Sequence, residues 1–239
     1  MLELRKVTKK FGSFAAVEDL SLAVRSGEFF GFLGPNGAGK TTTIKMIAGL
    51  FTPSSGTILI NGHDTVREPL MAKLTLGYIP DQPFLYDKLT GREFLYFVGG
   101  LFKQEKPEIA RVIEDLIAHF EIGDWVDKRT EDYSLGMRQR ITIASALVHH
   151  PKVIVIDEPM VGLDPRSAKI VKETLRQKAR GGAAVFMSTH SLQVAEELCD
   201  RIGIIKNGRL IFMDTLEKLE AYKKQYDGKF ESVFLELTK

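Results

Sequence analysis

The sequence predicts an α/β fold with a parallel core sheet, and three observations support this prediction. Two apolar runs typical of buried strands, "VIVID" (153–157) and "AAVFMST" (183–189), are separated by a helical segment, as in parallel strands joined by crossover helices. Residues 2–30 are typical of short strands with polar breaks, and apolar side chains alternate at Leu20, Leu22 and Val24, as in a half-buried antiparallel strand. Residues 84–149 show only helical spacing and therefore predict a helical insertion.

We expect these parts to form a single domain over residues 1–239. Its core consists of residues 1–83 and 150–214, its helical subdomain of residues 84–149, and its C-terminal tail of residues 215–239. A chain of 239 residues, of which 44% are hydrophobic, can bury such a core. The tail is rich in charged residues, and we expect a solvated helix followed by the short apolar ending "SVFLEL".

Composition argues against several classes of protein. The formal net charge is only +2, so no nucleic-acid partner is expected. The single cysteine, Cys199, cannot form an intrachain disulfide, and we expect it to be a buried apolar side chain in a reducing compartment. The sequence has no apolar run near the roughly 20 residues of a membrane span, and its start lacks the apolar core of a signal peptide. We therefore expect a cytoplasmic protein.

The stretch "GPNGAGKT" (34–41) matches the phosphate-binding pattern G-x-x-x-x-G-K-[ST]. Its glycines allow backbone N–H groups to approach a phosphate chain, its lysine supplies a cation for the β and γ oxygens, and its threonine hydroxyl is a ligand for Mg²⁺. A predicted strand precedes the pattern and a predicted helix follows it, which is the context of a P-loop, so we expect the α/β core to be that of a P-loop NTPase (RecA-like). The predicted nucleotide-binding residues of this loop are Gly34, Pro35, Asn36, Gly37, Ala38, Gly39, Lys40, Thr41 and Thr42.

Three further polar side chains follow buried strands at the sheet edge where ligands bind in doubly wound folds. Asp157 ends the first strand and can hold Mg²⁺ together with Thr41, while Glu158 can act on a water aimed at the γ-phosphate. His190 ends the second strand, and we expect it to contact the γ-phosphate. The remaining histidines have no such position and are expected to be structural or exposed: His63, His119, His149 and His150.

A second candidate anion site begins at "YSLGM" (133–137). Ser134 can cap the helix that follows, and Gly136 allows close approach to its backbone. A helix start presents free N–H groups and a partial positive charge, which favour an anion. One chain therefore carries two candidate anion sites far apart in the sequence.

Together, these motifs resemble those of the ATP-binding subunits of ABC transporters, in the family's order and over nearly the whole chain. The corresponding residues are Phe11 (the aromatic that stacks on adenine), 34–42 (Walker A), 133–137 (the signature motif, usually Leu-Ser-Gly-Gly-Gln), 153–158 (Walker B), 162–165 with Asp164 (the D-loop) and His190 (the switch histidine).

In this family, two subunits pack head to tail around two ATP molecules, and each ATP lies between one chain's Walker A loop and the other chain's signature helix. The resemblance implies ATP and Mg²⁺ as cofactors, and as partners a second copy of this chain or a homologous ATPase chain and a multi-span membrane permease. It also implies a peripheral position on the inner face of the membrane, through the permease. The signature residues that would serve the partner's ATP are Ser134, Leu135, Gly136 and Met137.

The sequence departs from the family pattern at three places. Leu135 replaces the usual first glycine of the signature motif, and Met137 replaces its glutamine. Asp81 stands where the family's glutamine loop has its glutamine, and Gln82 follows, so either Asp81 binds Mg²⁺ or the loop shifts by one residue to use Gln82. Phe11 lacks the hydroxyl of the usual tyrosine but keeps the ring that stacks.

The runs "LYDKLTGREFLYF", "YSLGM" and "VFLEL" resemble exporter-type ATPases whose membrane subunit is a separate chain. We therefore expect ATP hydrolysis to power export through a permease docked near residues 81–86. The alternative is a soluble ABC-type ATPase, for example in iron–sulfur cluster assembly. A GTPase is disfavoured because the guanine-reading Asn-Lys-x-Asp is absent from the sequence, and a non-enzymatic regulator is disfavoured by intact Lys40, Glu158 and His190.

Overall fold

The computed structural model describes residues 1–102, 105–224 and 228–238. Its strands are β1 (Leu2–Phe11), β2 (Phe14–Val24), β3 (Phe29–Leu33), β4 (Ser55–Ile60), β5 (His63–Asp64), β6 (Leu76–Ile79), β7 (Val153–Asp157), β8 (Ala184–Thr189), β9 (Arg201–Lys206) and β10 (Arg209–Thr215). Its helices are α1 (Lys40–Ile47), α2 (Pro69–Leu74), α3 (Gly91–Leu101), α4 (Lys106–His119), α5 (Leu135–Leu147), α6 (Pro165–Arg180), α7 (Leu192–Leu198), α8 (Leu216–Lys223) and α9 (Phe230–Thr238).

The core is a six-stranded sheet in the order β10-β9-β3-β8-β7-β6, in which only β10 runs antiparallel to its neighbour. Every residue of β3, β7 and β8 is buried, as expected for parallel strands covered on both faces. The predicted α/β fold with a parallel sheet is therefore confirmed. The carboxyl ends of β3, β7 and β8 lie along one edge of the sheet. The P-loop follows β3 at this edge, Asp157 ends β7, and His190 follows β8.

A smaller antiparallel sheet, in the order β2-β1-β4-β5, packs beside the core sheet. Its apolar residues share one hydrophobic cluster with Phe30, Phe32 and Phe186 of the core strands. The ring of Phe186 lies 5.8 Å from that of Phe30 and 5.2 Å from that of Phe32, between ring centroids. The predicted antiparallel strands at the start of the chain are thus confirmed.

Within residues 84–149, the described part of the chain contains α3, α4 and α5 and no strand. The apolar stripe of α4 is buried as its spacing predicts, at Ile109, Val112, Ile113, Leu116 and Ile117. The hydroxyl of Tyr133, which precedes α5, joins the start of α3 to the segment after α4, because it accepts a hydrogen bond from Gly91 N and donates to Val126 O at 3.1 Å. Across the described ranges, we find no helix whose length and apolar character suffice to cross a membrane.

The tail differs from its prediction as a solvated helix with a short apolar ending. It forms two helices, and Leu219, Phe230 and Val233 are buried in the same cluster as the helical subdomain. Residues 225–227 and 239 of the predicted tail lie outside the described residues. Because charged residues dominate this part of the sequence, its periodicity did not reveal the few apolar residues that pack both helices onto the core. The short elements α2, α7 and β5 were not predicted, since elements of this length show no clear period.

Candidate active site

The P-loop joins β3 to α1, and its glycines meet distinct steric demands. A Cβ on Gly34 would lie 2.3 Å from the carbonyl oxygen of Ile205, so only glycine fits against β9. Gly39 has φ of +110°, and a Cβ there would lie 2.5 Å from the carbonyl oxygen of Ala16. Gly37 has φ of +78°, which favours glycine even though its surroundings are open. The loop is therefore pressed against its neighbours while its backbone remains accessible.

Lys40 begins α1 and is almost fully buried. Its Nζ donates to the carbonyl oxygens of Gly34 at 2.7 Å and Pro35 at 3.1 Å. Burial lowers the pKa of Lys40, and the charges of Glu158 and Asp157 oppose this by raising it. The ammonium group is thus held inside the loop, beside two carboxylates, where phosphate oxygens can replace the two carbonyls.

Asp157 ends β7 with only 2% of its surface exposed. Its Oδ1 accepts a hydrogen bond from Ser188 Oγ, and Thr41 lines the same cavity wall. Burial raises the pKa of Asp157, and the hydroxyls of Ser188 and Thr41 lower it. Oδ2 is buried and lacks a hydrogen-bond partner among the described residues. An unsatisfied carboxylate oxygen beside a threonine hydroxyl fits the hard oxygen ligands of Mg²⁺.

Glu158 directly follows Asp157 but makes different contacts. Its backbone has φ of +49°, which is uncommon for a residue other than glycine, and its N–H donates to Ser188 O. Its Oε1 lies 2.8 Å from Nδ1 of His190, and its Oε2 accepts from Thr189 Oγ1 at 3.3 Å. The structure therefore brings the two predicted catalytic residues into direct contact.

These residues line one cavity of about 540 Å³, which is large enough for a small-molecule ligand. Its wall includes residues of the P-loop, Asp157, Glu158, His190 and the exposed ring of Phe11. Sequence reasoning missed Phe14, whose exposed ring also lines the cavity because β1 and β2 pair it with Phe11 across the hairpin. The sequence signal that could have predicted this is "FGSF" (11–14), in which two aromatic residues flank a tight turn.

Of the two candidates at the glutamine-loop position, only Asp81 lines the cavity. The charge of Asp81 also raises the pKa of Asp157, although burial raises it more. Gln82 is exposed, and its backbone N–H donates to Oδ1 of Asp81 at 2.9 Å. The structure thus places Asp81, and not Gln82, among the residues of the site.

The signature residues 134–137 begin α5 and do not line this cavity. Ser134 caps the helix by accepting from Met137 N at 3.3 Å, and its side chain is exposed. Leu135 packs on Gly162, where an added Cβ would lie 2.5 Å from the leucine Cδ2. The Nε2 of Gln139 donates to Pro159 O at 3.3 Å. The signature helix therefore rests on the segment that follows Walker B.

Asp164 of the predicted D-loop caps α6. Its Oδ1 accepts from the backbone N–H groups of Arg166 and Ser167, both at 3.0 Å. The hydrogen bonds from Ser167 are the main reason why the pKa of Asp164 is lowered. In the single chain, this carboxylate thus starts a helix and is not among the residues that line the P-loop cavity.

Cys199 and the remaining histidines are structural or exposed, as predicted. Cys199 is buried, and burial raises the pKa of its thiol. Burial also lowers the pKa of His149 to about 4, and its Nε2 lies 3.0 Å from Leu76 O. His63 contacts Glu68, and His119 contacts Thr174. His150 is exposed.

Comparison with known proteins identifies the family of the chain that carries this site. The model of the family described as "ABC transporter" matches residues 17–161, more than half of the chain. The chain belongs to the ABC transporter family. The predicted family and the P-loop ATPase fold are thereby confirmed.

Three similar ABC proteins show how far the likeness extends. The chain is 39% identical to the "ABC transporter ATP-binding protein NatA" of Bacillus subtilis (strain 168), over 89% of this chain and 87% of NatA. It is 38% identical to "Nod factor export ATP-binding protein I" of Rhizobium meliloti, over 88% of this chain and 63% of that protein.

The third is a solved structure with a TM-score of 0.82 at 25% identity, covering 90% of this chain and 99% of the other. Its description is a dimeric, post-hydrolysis state of the ATP-binding cassette MJ0796 bound to ADP and Pi. That ABC cassette is therefore dimeric and binds the products of ATP hydrolysis. The roles predicted for this ABC protein as an ATP-binding ATPase agree with these findings.

Gly39→Ala is expected to abolish ATP binding, because the added methyl group would collide with Ala16 O and the backbone would need a positive φ. Gly62→Ala is a matched control: Gly62 has φ of +89°, but its surroundings are open and it lies outside the cavity. Titration with a fluorescent ATP analogue measures both variants, and circular dichroism confirms that each is folded. Wild-type affinity in Gly39→Ala would contradict the steric account.

Proposed function

We propose that this chain is the ATP-hydrolysing subunit of an ABC exporter whose membrane permease is a separate chain. The observation that carries the proposal is the division of the two anion sites. The Walker residues converge on one cavity, whereas the signature helix begins outside it. Each chain thus has one half-site for its own ATP and a second half-site to offer a partner.

In this proposal, ATP binds to the P-loop and to the β1–β2 hairpin that carries Phe11 and Phe14. Backbone N–H groups of the loop and the ammonium group of Lys40 bind the β- and γ-phosphates. The exposed ring of Phe11, with Phe14 beside it, stacks on the adenine. Thr41 and Asp157 would hold Mg²⁺, with Asp81 as a further oxygen donor in the same wall. When bound, Mg²⁺ supplies positive charge that offsets the charge of the phosphates.

Glu158 and His190 act on the attacking water. The carboxylate of Glu158 accepts a hydrogen bond from the water and takes up its proton as the oxygen attacks the γ-phosphorus. His190 Nδ1 lies 2.8 Å from that carboxylate and fixes its orientation, and Nε2 of the doubly protonated ring can donate to the γ-phosphate. Asp157 is buried and accepts a hydrogen bond from Ser188, which leaves Glu158 as the base. The reaction converts ATP and water to ADP and phosphate.

A second subunit completes each site. We propose that Ser134 and Gly136 of one chain bind the γ-phosphate held by its partner, through the hydroxyl and the free N–H groups of the α5 start. The dimeric cassette bound to ADP and Pi supports this arrangement. The partner is a second copy of this chain or a homologous ATPase chain. ATP closes the dimer, and hydrolysis reopens it.

The permease would dock beside Asp81, at an exposed aromatic patch formed by Phe84, Tyr86 and Phe97. Phe84 is 73% exposed, and its ring makes an edge contact with that of Tyr86, which in turn contacts Phe97. Exposed apolar patches of this kind mark interaction sites. Docking there would place the chain on the inner face of the membrane and transmit dimer closure to the permease. The similarity to a Nod factor export protein supports export as the direction.

Glu158→Gln is expected to bind ATP normally but to hydrolyse it at least about a hundredfold more slowly, because the amide cannot accept the proton of the attacking water. The variant should therefore accumulate as an ATP-bound dimer, seen by light scattering during gel filtration. Lys40→Ala is the contrasting variant and should lose ATP binding itself. Normal turnover by Glu158→Gln would show that another group is the base.

Purification of the tagged chain from detergent-solubilised native membranes tests the transporter assignment. A multi-span permease should co-purify in stoichiometric amount, and Phe84→Asp should lose it while keeping ATP binding. Leu70→Asp is the matched control, because Leu70 is also exposed and apolar but lies on α2. A chain found only with soluble partners would instead support a soluble ABC-type ATPase, for example in iron–sulfur cluster assembly.

A further inference from the structure

A second cavity lies between the helical subdomain and the core and shares no lining residue with the ATP cavity. Its volume is about 340 Å³, within the range of small-molecule sites. One wall is α4, with Arg111, Asp115 and His119, and the opposite wall is α6, with Thr174, Gln177 and Lys178. His150, which follows α5, also lines it. We call this cavity the α4–α6 pocket.

The two cations with long side chains in this pocket are unpaired. Neither Arg111 nor Lys178 forms an ion pair or a side-chain hydrogen bond within the part of the chain that the structure describes. Lys178 is half-buried, and burial alone lowers its pKa, with no carboxylate acting in the opposite direction. A partly buried ammonium group without a counter-charge costs free energy unless a ligand supplies one.

The charged groups that act on His150 include more cations than acids. After burial, the strongest influence on the pKa of His150 is Lys178, which lowers it, and Arg111 and Lys152 act in the same direction. Glu108 opposes them. Among the residues that line the pocket, the two permanent cations Arg111 and Lys178 face one carboxylate, that of Asp115. Such an excess in a concave site favours a bound anion.

A hydrogen bond fixes the two walls of the pocket relative to each other. Thr174 donates from Oγ1 to Ile170 O at 2.6 Å, so it accepts from Nε2 of His119 at 2.6 Å. This bond joins α4 to α6 across the boundary between helical subdomain and core. The side-chain amide of Gln177 stands beside it as an uncharged donor.

We propose that the α4–α6 pocket binds a phosphate ester, with Arg111 and Lys178 as its charged donors. A guanidinium group can donate two parallel hydrogen bonds to a phosphate, and an ammonium group adds a charge-assisted bond. The ester could be a soluble metabolite or the headgroup of an anionic lipid, since both present the same chemistry. Because the walls belong to α4 and α6, the bound ligand would tie the helical subdomain to the core.

The experiment uses the full chain with its P-loop saturated by ADP and Mg²⁺, so that added phosphate cannot bind there. Glycerol 3-phosphate is titrated while NMR follows the imidazole signals of the five histidines. The signals of His150 and His119 should shift with saturation, whereas that of His63 should not move. Lys178→Gln and Arg111→Gln should each weaken binding about tenfold, and Asp115→Asn should strengthen it. Lys128→Gln, an exposed cation outside the pocket, is the matched control.

Sedimentation with vesicles identifies the source of the ester. If the chain sediments with vesicles of phosphatidylglycerol and phosphatidylcholine, but not with phosphatidylcholine alone, and Lys178→Gln abolishes this, the ligand is a lipid headgroup. If only glycerol 3-phosphate binds, the ligand is a soluble ester. The proposal is overturned if glycerol 3-phosphate causes no saturable shift of His150, or if both cation variants bind it as tightly as the wild type.

Discussion

The hydrogen bond from Ser188 to the buried carboxylate of Asp157 sets the geometry on which the rest of the site depends. Asp157 and Ser188 face each other in register on the parallel strands β7 and β8, and Thr41 follows the P-loop from β3, the strand next to β8. One carboxylate therefore joins the ends of β7 and β8, in the cavity wall that Thr41 also lines. Burial raises the pKa of Asp157, and the two hydroxyls oppose that shift by stabilising its charged form. One oxygen remains for a cation.

The segment that follows β7 connects Glu158 with the start of the signature helix α5 within one chain. Glu158 follows Asp157, and the segment after it carries Pro159, which accepts from Gln139, and Gly162, on which Leu135 packs. The start of α5 is thus positioned by the segment that begins at Glu158. In the proposed head-to-tail dimer, these contacts would connect the start of α5, at the partner's phosphate, with Glu158 of the same chain.

The sequence predicted features that a local pattern sets better than features that depend on contacts between residues distant in the chain. The P-loop and Asp157 were predictable because a local pattern and the common edge of parallel strands place them. Phe14 was missed because only the β1–β2 register brings it to the cavity, and the tail because three apolar residues among many charges gave no readable period. The packing of Leu135 on Gly162 could not be predicted, since it joins residues far apart in the chain.

The claim that each ATP site is built from two chains is tested most directly by mixing two inactive variants. Lys40→Ala lacks its own ATP half-site, and Ser134→Ala lacks the half-site it offers. Each alone should hydrolyse little ATP. In a mixture at equal amounts, half of the random dimers carry one complete site, so activity should return to about a quarter of the wild-type rate. A mixture as inactive as its components, with both chains folded and dimeric, would contradict the account.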